Sequence, residues 1–329
     1  MSNFATIKKA GANDELKIIV TGSSGYLASS LIPLLKKDYK VIGFDKVESS
    51  NTTNVGDINE SSILNIPEIN NDGSYIIINL ASARFDFGKT ADDYYNANAI
   101  NHNNFLRNLS QKNIKIKKFI HMSSVASIDG ERITYNKYLN CDDAYRTTKF
   151  IQENIVKKWC GNHEIPLDIL YPSAIFSDDK RSDTNIGKMQ SLSKIMPFVP
   201  DIHVLKSLTY LPNLSKFIIH LISNKDSGKK YLTIEKPIMS VSEMLVYLSG
   251  KKIKIIKIPF LKNILYLFSM LLYPLSGFGK YDVKLTPNRV TKLYTDTSYD
   301  SLENDVNISI YNKFLKLTLN DILTNINKI

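Results

Sequence analysis

Short apolar runs alternate with helix-length segments through the first half of this 329-residue sequence. Runs rich in Ile and Val alternate with helices when parallel strands are buried on both faces and joined by crossover helices. The sequence therefore predicts an α/β fold built on a doubly wound parallel sheet. Pro33 interrupts the first helical segment, so we expect a kinked or shortened helix there. The runs lie at 17–20, 40–45, 75–82, 117–124 and 167–175, and the helical segments at 25–37, about 60–66, 91–112 and 142–161.

The alternation weakens after about residue 172, where prolines separate shorter elements. We therefore expect a larger domain over 15–172, to which the chain returns near 205–222. The remainder, 173–329, is expected to form mostly a smaller C-terminal lobe. Residues 1 to about 14 are predicted to be a polar tail.

The net charge of +10 comes with lysines scattered in short pairs, without a stripe of arginines and interleaved aromatics. This pattern argues against nucleic-acid binding and suits anionic small molecules or an anionic membrane surface. Cys141 and Cys160 have no metal-ligand spacing and predict neither a metal site nor a disulfide framework. Because the N-terminal residues contain no apolar core typical of a signal peptide, we expect a cytoplasmic protein.

The segment 258–279 contains the most apolar part of the chain. Its uncharged stretch falls short of the roughly 18 to 20 apolar residues that a membrane-spanning helix needs, and Pro274 interrupts it. We favour a buried helix or helix pair of the smaller lobe. Peripheral docking on a membrane is an alternative because lysines precede the segment, and a true span is a third. The lysines are Lys251, Lys252, Lys254 and Lys257.

A glycine-rich loop, VTGSSGYLA, follows the first predicted strand. Gly22 and Gly25 let the backbone turn tightly and approach a pyrophosphate at a helix N-terminus, and Ala28 lets that helix pack closely on the sheet. Asp45 ends the second strand, where its carboxylate can accept hydrogen bonds from an adenosine ribose and would repel a ribose 2′-phosphate. Asp57 is expected near the adenine amino group. The pattern favours NAD over NADP, although the loop taken alone could be an ordinary tight turn.

Tyr145 and Lys149 stand at i and i+4 and so share one face of a predicted helix. The ammonium, together with a positive nicotinamide ring, would lower the Tyr145 pKa towards working pH. The phenol could then exchange a proton with a substrate hydroxyl while a hydride moves. Ser123 and Ser124 end a predicted strand at the sheet edge that lines a ligand crevice. We choose Ser124 as the residue that hydrogen-bonds the reacting oxygen.

In this order, the motifs resemble those of the extended short-chain dehydrogenase/reductase family, the NAD-dependent epimerase/dehydratases. The resemblance runs from about residue 16 to 220 and more loosely to about 300. TGSSGYLA (21–28) is similar to the family's TGxxGxxG/A fingerprint and INLAS (78–82) to its HLAA segment. YYNANAINHNNFL (94–106) resembles the NVxGTxNLL helix, and SLTYLPNLSKFI (207–218) a later strand and helix.

The resemblance implies a Rossmann-like NAD-binding domain and a smaller substrate-binding lobe. Ser124, Tyr145 and Lys149 match the catalytic Ser/Thr, Tyr and Lys, and Glu153 matches an acidic position that often follows. No metal ligand is expected. The residues expected to bind the cofactor are Gly22, Ser24, Gly25, Tyr26, Leu27, Asp45, Asp57, Ile58, Leu80, Ala81, Ser82, Asn98, Tyr145, Lys149 and Pro172. The residues expected to contact the substrate are Arg84, Ser123, Ser124, Ser173, Lys206 and Arg289.

Several positions depart from the family pattern. Gly130 stands one place later than the usual glycine, Tyr171-Pro172 replaces Arg-Pro, and Ser173 replaces an Asn often used for a sugar-nucleotide pyrophosphate. These changes leave the hydride machinery intact but alter the region that would recognise a nucleotide. Candidate replacement contacts for the anion are Lys206, Arg289 and Lys292.

The expected function is that of an NAD-dependent epimerase or 4-keto reductase acting on a nucleotide-activated sugar, with hydride transfer at C4 and Tyr145 as acid/base. A second hypothesis keeps this chemistry but takes a membrane-linked substrate, such as a polyprenyl-diphosphate sugar or a steroid-like alcohol. A third is a non-catalytic NAD-binding sensor or scaffold. The resemblance also implies a homodimer through the helices at 91–112 and 142–161, and a role in polysaccharide biosynthesis.

Overall fold

The computed structural model describes residues 16–83, 90–178, 185–276, 286–299, 311, 315 and 317–326. The chain divides into two compact units. The first contains the described residues up to Ser173, Leu211–Thr233 and Tyr311. The second contains the described residues of Ala174–Tyr210, Ile234–Asn304 and Asn312–Ile329. The predicted polar tail lies outside the described residues.

The strands in the described part of the chain are β1 (Leu16–Thr21), β2 (Lys40–Asp45), β3 (Asn54–Val55), β4 (Ser74–Asn79), β5 (Lys115–Met122), β6 (Leu167–Pro172), β7 (Ala174–Phe176), β8 (Val199–Pro200), β9 (Leu205–Lys206), β10 (Leu208–Tyr210), β11 (Lys230–Thr233), β12 (Met239–Ser240) and β13 (Ile255–Ile256). The α-helices there are α1 (Tyr26–Leu35), α2 (Ala91–Tyr95), α3 (Asn101–Lys112), α4 (Val125–Gly130), α5 (Cys141–Asn162), α6 (Asn185–Ile195), α7 (Leu211–Ser223), α8 (Val241–Ser249), α9 (Leu261–Ser276), α10 (Pro287–Leu293) and α11 (Leu319–Ile326).

The first unit is built on a seven-stranded parallel sheet with the order β11, β6, β5, β4, β1, β2, β3. The chain moves outward from β1 to β2 and β3 on one side, and to β4, β5 and β6 on the other. This reversal opens a crevice at the carboxyl ends of β1 and β4, which is where doubly wound sheets bind ligands. The predicted fold class, an α/β fold with a doubly wound parallel sheet, is confirmed.

Local sequence explains most of these elements. Pro33 lies inside α1, which ends at Leu35, so the helix is shorter than the 25–37 segment. The segment at 60–66 forms a short 3₁₀-helix, and the segment at 91–112 is divided into α2, a π-helical turn and α3. The sequence missed α4, which begins almost directly after β5.

A buried apolar cluster packs α3 and α5 against the strands β1, β2, β4 and β5. It joins strand residues such as Ile77 of β4 and Phe119 of β5 to Phe105 of α3 and Val156 of α5. Burial of large side chains at close packing makes this support rigid. The cluster therefore fixes the carboxyl ends of the central strands relative to α3 and α5.

The second unit has a core of its own, in which Met239 and Leu248 pack with Leu323. Its helix α9 covers most of the apolar segment 258–279, and many apolar side chains of this helix are exposed. The favoured interpretation of a buried helix is therefore wrong for α9. Residues 277–279 lie outside the described part. Within the described residues, no helix has both the length and the apolar character needed to cross a membrane.

Candidate active site

Gly22 begins the turn after β1 with a positive φ of 73°, which favours glycine. A Cβ there would lie 2.7 Å from the Ala81 backbone nitrogen and 2.9 Å from the Leu80 carbonyl carbon, so a larger residue does not fit. Gly25 caps α1 without a side-chain cap bond, and the first turn contains no acidic residue. The positive end of this helix is therefore suited to an anion. The other predicted residues of this loop are Ser24, which precedes the cap, and Tyr26 and Leu27, which begin α1.

The Asp45 carboxylate lies at the end of β2, beside this glycine loop. Its Oδ2 accepts the backbone N–H of Ser24 at 3.0 Å, and its Oδ1 accepts the N–H of Val47 at 3.0 Å. These bonds hold the carboxylate at the edge of the loop. Asp57 follows β3 and accepts a backbone N–H from two residues further on at 2.9 Å, and the partly buried Ile58 packs on the core.

The loop after β4 is tied to the end of β1 by Thr21. The Leu80 N–H donates to the Thr21 carbonyl oxygen at 3.2 Å, and the Ala81 N–H donates to Thr21 Oγ1 at 3.4 Å. Thr21 Oγ1 in turn donates to Asn79 Oδ1 at 2.7 Å, and Asn79 Nδ2 lies 3.2 Å from His121 Nδ1 on β5. A buried polar chain thus crosses three adjacent strands. Sequence reasoning gave Asn79 no role here.

Asn98 lies in the π-helical turn Asn96–Ile100 between α2 and α3. Its Oδ1 accepts the Ser82 hydroxyl at 3.0 Å and the Ala83 N–H at 2.8 Å, while its Nδ2 donates to Thr148 Oγ1 at 3.1 Å. Single π-helical turns occur frequently at functional sites. Asn98 therefore links the loop after β4 to α5.

Ser124 is the N-cap of α4, where its hydroxyl accepts the Ala126 N–H at 3.2 Å. A hydrogen bond also joins the Ser124 and Tyr145 side chains. Close packing of α4 on α5 makes this contact possible. A Cβ at Gly130 would lie 2.2 Å from the Arg146 carbonyl oxygen, so the approach requires glycine. The glycine that departs from the family spacing therefore brings the two predicted catalytic side chains together.

Burial raises the pKa of Tyr145, and the hydrogen bond with Ser124 acts in the opposite direction. The lowered pKa that the sequence predicts requires a bound nicotinamide ring beside Lys149, and it stays a prediction. The ring of Tyr94 meets the ring of Tyr145 edge-on, with centroids 6.0 Å apart. The Tyr145 phenol is therefore protonated near neutral pH.

The Lys149 side chain is almost entirely buried, at 2% exposure. Its Nζ donates to the Met122 carbonyl oxygen at 2.9 Å, to Gln152 Oε1 at 2.5 Å and to Ser82 Oγ at 3.3 Å. Burial lowers the Lys149 pKa to about 7, and the Glu153 carboxylate partly opposes this shift. The ammonium therefore titrates near neutral pH.

Gln152 extends this network to His102. Its Nε2 donates to the Ala81 carbonyl oxygen at 3.2 Å and lies 2.7 Å from His102 Nε2. His102 Nδ1 is 3.0 Å from the Ala97 carbonyl oxygen, so Nδ1 is the donor and Nε2 accepts from the amide. Burial, with a smaller effect of Lys149, lowers the His102 pKa to about 4, and the ring is neutral. His102 thereby orients the Gln152 oxygen towards Lys149. Sequence reasoning missed both, and the only available signal for Gln152 was its place one turn after the lysine.

Ser123 points into a second buried network, centred on Glu153. Ser123 donates to Glu153 Oε2 at 2.6 Å and Tyr171 donates to Oε1 at 2.6 Å, with further contacts from Ser127 and Lys157. Burial favours a higher Glu153 pKa, but the hydrogen bonds from Lys157, Ser123 and Tyr171 bring it below the ordinary value. The Ser123 hydroxyl is thus hydrogen-bonded inside the protein, to Glu153. Tyr171, where the family has an arginine, supplies a hydroxyl to this carboxylate.

With this geometry in view, a protein-family comparison matches residues 18–231 to the NAD dependent epimerase/dehydratase family. The chain belongs to this family. The protein is therefore an enzyme of an NAD-dependent class, and the prediction of NAD as cofactor is confirmed. The site residues fit that cofactor, because Gly22 leaves no room for a side chain at the loop, the N-terminus of α1 has no side-chain cap bond, and Asp45 lies at the edge of the loop.

Solved structures of this family share the fold. UDP-glucuronic acid 4-epimerase from Bacillus cereus, in complex with NAD, is 21% identical, with 74% of this chain and 86% of that chain covered and a TM-score of 0.53. UDP-glucose 4-epimerase from Thermotoga maritima, with UDP-glucose, is 12% identical over 95% of this chain and 97% of that chain, at a TM-score of 0.61. dTDP-4-dehydrorhamnose reductase from Bacillus anthracis, in complex with NADP, is 21% identical. The match covers 76% of this chain and 86% of that chain, with a TM-score of 0.55. No curated protein matches the sequence.

The remaining predicted residues lie in other elements or outside the described residues. Arg84 lies outside the described residues, whereas Pro172 ends β6 and the half-buried Ser173 follows it. In the second unit, Lys206 Nζ donates to the carbonyl oxygens of Lys292 and Thr295 at 2.8 and 2.5 Å. Burial lowers the Lys206 pKa to about 8, against the effect of Asp296. Arg289 lies in the first turn of α10, in the second unit.

Proposed function

We propose that this family member is a nucleotide-sugar epimerase or 4-keto reductase that moves a hydride at C4 of the sugar, with Tyr145 as acid/base. The observation that carries the proposal is the hydrogen bond between Ser124 and Tyr145, formed one helical turn from the buried Lys149. The solved neighbours support the substrate class, since they include a UDP-glucuronic acid 4-epimerase and a dTDP-4-dehydrorhamnose reductase.

In the reducing direction, Tyr145 donates its proton to the oxygen of a 4-keto group while that carbon gains a hydride. In the oxidising direction, the C–H and O–H bonds of a C4 hydroxyl break, and the proton moves to the Tyr145 phenolate. NAD, when bound, supplies the acceptor and donor of the hydride. Ser124 orients the sugar oxygen through its hydroxyl. The Lys149 ammonium stabilises the phenolate electrostatically.

We further propose how the chain holds the cofactor and the sugar. Gly22, Gly25 and the first turn of α1 receive the pyrophosphate, and Asp45 receives the adenosine ribose. Asp57 and Ile58 border the adenine. The nicotinamide half is bordered by Leu80, Ala81, Ser82, Asn98 and Pro172. Arg84, Ser173, Lys206 and Arg289 remain proposed substrate contacts.

The test is to incubate the purified protein with UDP-, dTDP- and GDP-sugars in the presence of NAD, and with their 4-keto forms in the presence of NADH, and to follow the products by NMR. Inversion at C4 without net consumption of NADH identifies an epimerase, whereas stoichiometric consumption of NADH identifies a reductase. Absence of turnover with every nucleotide sugar would contradict the proposal.

A second candidate is the same chemistry on a lipid-linked sugar. The exposed apolar side chains of α9 favour it, because a substrate held in a bilayer is reached from its surface. Adding polyprenyl-diphosphate sugars in detergent to the panel separates the two candidates. Turnover of these substrates alone selects the lipid-linked candidate.

We also propose a homodimer through the helices at 91–112 and 142–161. The support is Ile100, an apolar residue that is 42% exposed at the end of the π-helical turn. The variant Ile100→Glu should shift the mass measured by light scattering from dimer to monomer. A monomeric wild-type protein would contradict this proposal.

A further inference from the structure

The outward face of α9 is apolar from Ile264 to Leu271. The side chains of Ile264, Leu267, Phe268 and Leu271 follow the i, i+3, i+4, i+7 spacing of one helical face. Leu267, Phe268 and Leu271 are 62%, 58% and 67% exposed. Phe260, just before the helix, and Tyr266 and Met270, beside this face, are also exposed. We call these seven residues the α9 outward face.

The opposite side of the helix accounts for its attachment to the second unit. Ser269 is buried, Leu265 and Leu272 are half-buried, and α9 packs against α10. Single exposed apolar residues are ordinary on protein surfaces, but a contiguous apolar face marks a contact with another apolar phase or molecule. We therefore expect the α9 outward face to contact another molecule or an apolar phase.

The lysines next to this face favour an anionic partner. Five lysines stand between 251 and 262, all exposed, and 251–276 contains neither Asp nor Glu. A second copy on this face would add five more ammonium groups and no carboxylate from the segment, so it offers no charge that complements the lysines. An anionic lipid surface complements both the lysines and the apolar side chains. The lysines are Lys251, Lys252, Lys254, Lys257 and Lys262.

The dimensions of α9 favour lying on a membrane over crossing it. Its 16 residues extend about 24 Å, against a hydrocarbon core of about 30 Å. An amphipathic helix of this kind lies in the interfacial plane, with its apolar side chains between the headgroups and its basic residues at the phosphates.

We propose that the α9 outward face and its preceding lysines dock the protein on an anionic lipid surface. The surface is a binding site for lipid headgroups and acyl chains, and it is separate from the proposed catalytic chemistry. Docking through this surface does not depend on whether the substrate is a soluble nucleotide sugar or a lipid-linked one.

The test is co-sedimentation of the full chain with vesicles of phosphatidylcholine alone or mixed with phosphatidylglycerol. Wild-type protein should sediment with the anionic vesicles, and added salt should weaken its binding. The variant L267S/F268S/L271S should lose more than roughly tenfold in vesicle affinity because it removes apolar side chains from the interface. These residues are exposed, so the variant should keep the wild-type circular dichroism spectrum and NAD-induced thermal shift.

Two further variants separate the outcomes. L317S/Y138S removes exposed apolar side chains elsewhere and should bind vesicles as the wild type does. K252E/K254E/K257E should bind neutral vesicles as the wild type does and lose its preference for anionic ones. The proposal is overturned if wild-type protein ignores anionic vesicles, or if the serine variant binds them unchanged. It is also overturned if that variant only converts a dimer to a monomer, since the face would then join two copies.

Discussion

The Lys149 ammonium lies 2.5 Å from the Gln152 side-chain oxygen, one helical turn further along α5. A bond from Gln152 to the neutral ring of His102 fixes the direction of the amide, so its oxygen rather than its nitrogen faces the lysine. An oxygen acceptor favours the charged form of a buried amine. Gln152 is therefore a positioning residue for Lys149.

Substitutions at Gln152 should move the pH dependence of catalysis in opposite directions. Gln152→Leu removes the acceptor, so the Lys149 pKa should fall below about 7. The alkaline limb of the kcat/KM profile should then move to lower pH by about one unit. Gln152→Glu places a negative charge beside the ammonium and should move the same limb to higher pH. Identical profiles for both variants and the wild type would show that Gln152 does not act through Lys149.

Tyr145→Phe should separate catalysis from cofactor binding. Loss of the phenol removes the proposed proton donor, and kcat should fall by roughly 10²- to 10⁴-fold. NAD affinity, measured by calorimetric titration, should change little because the glycine loop and Asp45 are untouched. Tyr138→Phe is a matched control, since Tyr138 is 83% exposed and should retain activity. Retained biological activity in Tyr145→Phe would instead favour the sensor or scaffold hypothesis.

Alanine substitutions at two glycines should act with opposite signs on stability. Gly22→Ala puts a Cβ 2.7 Å from the Ala81 nitrogen in a positive-φ conformation, and should destabilise the protein by about 1–3 kcal/mol. It should also weaken NAD binding by distorting the loop. Gly161→Ala, near the end of α5 with nothing within 4 Å of its Cβ, should stabilise by about 0.5–1 kcal/mol. Urea unfolding measures both, and equal effects would contradict the proposed strain at Gly22.

His102 should make the first unit sensitive to mild acid. Its folded-state pKa of about 4 lies below the ordinary 6.5, so between these values the unfolded chain binds a proton that the folded chain does not. The contribution of the neutral His102 ring to the free energy of unfolding is fully present above pH 6.5. It is lost as the pH drops towards 4, which lowers the stability by up to about 3 kcal/mol. His102→Leu should flatten this dependence. Fluorescence of Trp159, the single tryptophan, reports the unfolding from α5, and equal pH slopes in variant and wild type would refute the assignment.

The parts of the molecule that follow from local sequence were predictable. Alternating Ile- and Val-rich runs predicted the central strands, because burial on both faces requires that composition. The spacing of Tyr145 and Lys149 predicted a shared helix face. The roles of these residues, and of the other predicted site residues, remain predictions.

Other features depend on contacts between distant residues and leave little trace in the sequence. The Tyr171 bond to Glu153 joins a strand to a helix, and the bond from Gln152 to His102 joins two helices. The short α4 depends on Gly130, whose missing Cβ matters only because α5 lies against it. Periodicity describes one element at a time and cannot anticipate such pairs.

The π-helical turn at Asn96–Ile100 makes residue count as important as residue identity in this part of the chain. One residue inserted into a regular α-helix rotates every later side chain by about 100°. Removing a single residue from the turn would leave the His102 imidazole intact but carry it around the helix, away from Gln152. The number of residues in the turn thus determines which side chains of α3 face Lys149. Point substitutions leave this number unchanged, whereas deletion of one residue changes it.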